Sequence, residues 1–185
     1  MRILALDPGS SCGFACGTED GIDDSGVWLL APARGESPGV RYLKLRAHLA
    51  AIRERFPDLA LVVYEMAHHR GGAATEYAAG VATHVQSWCA EHRIEHAQAH
   101  SARVKKFATG RGNAEKEDMR RATRGRFLLR TDADDEVDAC WILAYALACY
   151  GDSCTFAPGA RTAHDAARAL HRASSSCKTK DPRFA

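Results

Sequence analysis

The chain reads as an α/β protein built as a layered sandwich, and three observations carry that reading. Short apolar strand-like runs alternate with helix-like segments after an initial cluster of strands. One of those runs, Leu59-Ala60-Leu61-Val62-Val63-Tyr64, is almost continuously apolar, the mark of a strand covered on both faces. At 185 residues and 46% hydrophobic, the sequence suffices for one well-buried domain and a short tail, not for two full-size domains.

In order, Ile3 to Leu6 forms a buried strand that ends on Asp7, because Asp7-Pro8-Gly9-Ser10 is a turn sequence. Phe14 to Gly17 and Gly26 to Leu30 follow as strands around a turn-rich stretch, which makes the first thirty residues an antiparallel meander. Val40, Leu43, Leu45, Leu49, Ile52 and Phe56 recur mostly at helical spacing and Pro57 stops that helix. The run from Leu59 then delivers Glu65 at its end. Gly71-Gly72 opens a helix from Ala73 to His92, and Ile94 to Ala97 is a short strand. Asn113 is the expected N-cap of a helix from Ala114 to Leu128, and a last helix spans Asp134 to Tyr150. After Gly151 the composition turns small and polar, with six Lys or Arg against three acids, so 151–185 is expected to be a basic, partly disordered tail with at most a weak helix from Thr162 to Ala173.

Composition excludes several classes. The seven cysteines are an odd number, scattered and without a Cys-x-x-Cys pair, which argues against a disulfide framework and against structural zinc. None of the nine histidines forms the helical i, i+4 pair of a zinc protease. No stretch approaches the roughly 20 apolar residues needed to span a bilayer, and the opening apolar run is too short for a secretion signal, so the expected location is the cytoplasm without membrane attachment. The net charge of +2 is unevenly spread: from Ser101 to Arg126 nine basic residues face three acids. Such a run is commonly just a solvated helix face, but it is also the electrostatic footprint of phosphate contact.

The acids carry the chemistry. Asp135 and Asp138 are three apart and share a helix face that continues through Ile142, Tyr145 and Cys149 toward the core. An unpaired carboxylate in such a place is costly. Asp7 and Glu65, each ending an apolar strand, lie side by side if those strands are neighbours. Taken singly, each acid is ordinarily a turn residue, a cap or a dipole partner. Together they form a set that needs counter-charge, since two like charges 4 Å apart repel by about 4 kcal/mol at an effective dielectric of 20. Mg²⁺ or Mn²⁺ suits such oxygen ligands, and two ions about 4 Å apart can activate water and stabilise the leaving oxygen of a phosphodiester.

These residues also resemble a known family. ILALDPGSSCGFA, LVVYEMA and DEVDACWILAYAL, in that order, with VKKFATGRGNAEKEDM as a basic segment, resemble the RuvC-like Holliday-junction resolvases over residues 1–150. The resemblance implies a ribonuclease-H-like mixed five-stranded sheet flanked by helices. It implies Asp7, Glu65, Asp135 and Asp138 as catalytic, metal-binding acids for two Mg²⁺ ions per site, Mn²⁺ substituting, and Lys105 and Lys116 as functional lysines, with Lys116 nearest the scissile phosphate. It further implies a homodimer that nicks four-way DNA junctions symmetrically. Lys105, Lys106, Arg111, Arg120 and Arg121 are the expected DNA contacts, and His68 stands where the family has a stacking aromatic. Val81, Val85 and Trp88 form a helical stripe that is the candidate dimer face, or otherwise simply core. The rival readings are a broader nuclease for flaps and forks with the same acids, and a noncatalytic junction-binding protein, which has no physical need to gather four repelling carboxylates. An actin-like ATPase is set aside because a second phosphate loop is missing.

Overall fold

The computed structural model describes residues 1–66, 72–124, 126–127 and 133–151. The elements are β1 (Arg2–Asp7), β2 (Ser11–Thr18), β3 (Gly21–Leu29), α1 (Val40–Arg55), β4 (Leu59–Glu65), α2 (Gly72–His92), β5 (Glu95–Ala99), α3 (Ser101–Thr109), α4 (Lys116–Thr123) and α5 (Asp134–Tyr150). The five strands form one mixed sheet in the order β3-β2-β1-β4-β5. Tight turns join β1, β2 and β3 as antiparallel neighbours, whereas α1 and α2 are long enough to return the chain for the parallel pairs β1/β4 and β4/β5.

Side-chain alternation divides the interior into two cores. Ile3, Ala5, Leu61 and Val63 face a layer made by α3, α4 and α5, while Leu4, Leu6, Val62 and Tyr64 face α1 and α2. Both faces of β1 and β4 are thus covered, which explains their unbroken apolar runs. No helix among the described residues is long and apolar enough to cross a membrane.

Several expectations are corrected. Val81, Val85 and Trp88 are fully buried against the sheet and α1, so this stripe is the chain's own core and not a dimer face. The helix expected from Ala114 with Asn113 as its cap instead starts at Lys116, because Glu115 and Asp118 form a capping box there, and buried Ala114 lies before the helix. That helix ends at Thr123, and the sequence reading ran past this stop. The basic stretch before it holds a helix of its own, α3, closed by Gly110 in the left-handed region at φ 81°. The strand β3 also begins earlier than Gly26. Its acidic residues are tolerated at the sheet edge because Asp23 pairs with Arg2 and Asp24 with Arg55, the latter at 2.6 Å.

Candidate active site

Strand register brings the first two acids together. Leu6 lies opposite Tyr64 across the parallel β1/β4 pair, so the next residues, Asp7 and Glu65, leave the sheet side by side at one edge. Asp7 continues the face of Ile3 and Ala5, and Glu65 that of Leu61 and Val63; both carboxylates therefore lie on the side covered by α5.

A glycine brings the other two. Gly13 of β2 pairs with Asp7 across the antiparallel ladder. A Cβ built on Gly13 would stand 1.8 Å from the carbonyl oxygen of Asp135, so the first turn of α5 rests on bare β2 backbone beside Asp7. Asp138 follows one turn along. The site is pinned around this contact: the Tyr77 hydroxyl donates to the Gly9 carbonyl at 2.6 Å in the turn after Asp7, and Ser25 Oγ donates to Glu136 Oε1 at 2.6 Å between β3 and α5.

The four acids are partly buried and sense one another. Desolvation, followed by the charges of Glu65, Asp138 and Asp135, pushes the Asp7 carboxyl up to about 8. Asp138 is pushed up to about 6, by burial first and then by Glu65. Lys116 opposes both shifts, and Lys105 opposes that of Asp138. The oxygen-only donor set, crowded with like charge, fits a hard divalent cation in chemistry. As it stands it is not drawn into a closed ligand cage: no three His, Cys, Asp or Glu side chains among the described residues are gathered closely enough to hold an ion.

The basic residues differ in exposure and in their partners among the described residues. Lys106 and Arg121 are exposed, and Lys105 is partly buried on the side of Asp138. Arg111 is paired with Asp118 at 2.9 Å. Lys116 Nζ lies 3.1 Å from Asp134 Oδ2, and Arg120 donates to Asp134 Oδ1 from Nε at 2.8 Å and from its terminal nitrogen at 2.7 Å. The hydrogen bond between them holds the Lys116 ammonium above its usual range and the Asp134 carboxyl below its own. His68 lies outside the described residues, as does the tail beyond Gly151.

Sequence reasoning missed Gly13, Tyr77, Asp134 and the Ser25–Glu136 bond. Gly13 carried a signal, a glycine inside an otherwise apolar strand, which marks a close backbone approach. Asp134 carried none, being one more acid in the first turn of a helix, where acids are common.

No family model matches the chain, and no curated protein matches it. Solved structures do. A Thermus thermophilus RuvC bound to a Holliday junction substrate is 20% identical, with a TM-score of 0.65 over 77% of this chain and 90% of that one. A second T. thermophilus RuvC structure is 18% identical, with a TM-score of 0.63 over 80% of this chain and 96% of that one. The yeast mitochondrial Holliday junction resolvase Ydc2 is 16% identical, with a TM-score of 0.50 over 76% of each chain. Together with the sheet order and the layers on both faces, these likenesses establish that the chain has the ribonuclease-H-like fold of the RuvC resolvases.

Proposed function

We propose that this chain is a metal-dependent endonuclease that resolves four-way DNA junctions by paired nicks, leaving 5′ phosphate and 3′ hydroxyl ends. The observation that carries the reading is that strand register and the seat of α5 bring Asp7, Glu65, Asp135 and Asp138 to one end of the sheet, where burial and neighbouring charge work against the ionised forms of Asp7 and Asp138. A binding surface for DNA alone gains nothing from such a set. The likeness to a RuvC that was solved with a Holliday junction supplies the substrate class.

In this reading Asp7, Glu65, Asp135 and Asp138 hold two Mg²⁺ ions, for which Mn²⁺ substitutes, and the ions when bound supply the charge that activates water and stabilises the leaving oxygen. The protein's share is positioning. β1 and β4 fix the height of Asp7 and Glu65, and the seat of α5 on Gly13 fixes Asp135 and Asp138. Lys116 and Lys105 bring positive charge to the rim, with Lys116 beside the reacting phosphate. Lys106, Arg111 and Arg121 hold the flanking backbone, and the rate of encounter then depends on salt. A substrate with two-fold symmetry is cut in both strands by a homodimer, one site per copy.

Cleavage of an end-labelled mobile four-way junction beside a fork, a flap and linear duplex, in Mg²⁺, Mn²⁺ or EDTA, tests the proposal. Paired symmetric nicks in the junction, lost in EDTA and in Asp7→Asn, are expected. Comparable cutting of forks and flaps would replace the resolvase by a broader branched-DNA nuclease, and binding without metal-dependent cutting would leave a junction-binding protein.

A further inference from the structure

We infer that Asp134, not itself one of the four acids, is a positioning residue that sets Lys116 at the rim of the carboxylate site and withholds Lys116 and Arg120 from indiscriminate phosphate binding. The inference rests on the nuclease reading above. Its basis is the contact set of one side chain. Each oxygen of the Asp134 carboxylate takes a different cation from α4: Oδ2 meets Lys116 Nζ at 3.1 Å, and Oδ1 meets Arg120 through Nε at 2.8 Å and through its terminal nitrogen at 2.7 Å.

Placement explains why this matters for function more than for folding. Asp134 opens α5 directly before Asp135, so a cation held on it stands at the edge of the acid set. The Lys116 side chain is 74% exposed and would otherwise sweep a wide arc. α4 has a second anchor seven residues further along each helix. Trp141 Nε1 donates to Thr123 Oγ1 at 2.9 Å, and Thr123 Oγ1 donates back to the Met119 carbonyl at 2.7 Å. With Met119 and Thr123 both buried, that end stays attached when Asp134 is lost. What changes is the aim of Lys116 and the number of cations free to meet phosphate. A substrate phosphate arriving at the rim can take over one of these cations, because both are held by a partly exposed acid and neither is sealed in the core.

The consequence is an opposed pair of effects that a purely structural residue does not produce. In Asp134→Asn, single-turnover cutting of a four-way junction at saturating protein should fall about 10- to 100-fold, the scale of an ångström-sized misplacement. Affinity for plain duplex in EDTA should rise, and the slope of log affinity against log salt should steepen by about one to two, at about 0.9 per phosphate contact. Lys116→Ala combined with Asp134→Asn should cut no more slowly than Lys116→Ala alone. An unchanged rate, or a fall in rate together with weaker duplex binding and a lowered Tm, overturns the inference. If the wild-type chain fails to cut, the nuclease reading falls on its own. The salt slope still decides the clamp, and an unchanged slope in Asp134→Asn overturns it.

Discussion

Gly13 shows how one missing methyl group can hold a site together. It pairs with Asp7 on one side and Val27 on the other, and the Asp135 carbonyl lies 1.8 Å from where a Cβ would stand. Gly13→Ala must therefore lift the first turn of α5 or tilt β2, and overpacking of this kind costs about 3 kcal/mol. The expected result is a fall in Tm on the order of 10 °C, with loss of cutting beyond what instability explains, measured by melting and by junction cleavage well below the new Tm. A variant that melts and cuts like the wild type would show that α5 is not seated on this glycine. The four acids were legible in the sequence because each ends an apolar segment or sits on the buried side of a helix. The contacts that hold them were not, because they pair residues far apart in the chain, as Tyr77 with Gly9 or Glu136 with Ser25.

Among the elements, the buried strands and the long helices were readable from periodicity, and the short basic helices were not. α3 and α4 are only nine and eight residues long, and a charged surface helix of that length has little apolar pattern to show. Their limits are set instead by Gly110 and by the Glu115–Asp118 box. The end of α2 carries a related strain. Arg93 sits at φ 57°, in the left-handed region where glycine usually closes a helix, and the Ile94 amide bonds back to the Cys89 carbonyl at 2.9 Å. A side chain there costs about 1–2 kcal/mol, partly offset in a glycine variant by the looser unfolded chain, about 0.5–1 kcal/mol. Arg93→Gly should therefore raise Tm by about 1–3 °C and leave cutting unchanged, because Arg93 lies at the opposite end of the sheet from Asp7. A lower Tm would mean that the arginine side chain contributes more than its backbone strain costs.

Across the whole molecule, a sheet covered on both faces drives Asp7 and Asp138 into a poorly solvated corner, and that placement links the site to global stability. Periodicity showed that β1 and β4 are buried on both sides but not which strands are neighbours, so Asp7 stands beside Glu65 only by virtue of the strand order. Its thermodynamic signature follows from the raised carboxyls. Below about pH 4 Asp7 is protonated in folded and unfolded chains alike and has no effect. From there to about 8 the unfolded chain gives up the proton while the folded one keeps it, so the unfolded state binds fewer protons and stability falls as pH rises. Asp138 adds the same sign over the narrower window up to about 6. At about 1.4 kcal/mol per pKa unit the Asp7 contribution is on the order of several kcal/mol. Without divalent metal, the Tm should drop between pH 5 and pH 8 by on the order of 10 °C. Asp7→Asn should remove most of that drop and melt higher than the wild type at pH 8. Millimolar Mg²⁺ should restore wild-type stability at pH 8, because a cation bound only by the folded state adds its binding free energy, and should leave Asp7→Asn almost unmoved. Equal pH slopes in the two proteins would mean that Asp7 is not held at a cost in the folded chain. A Mg²⁺ effect of the same size in both would place the ion away from Asp7.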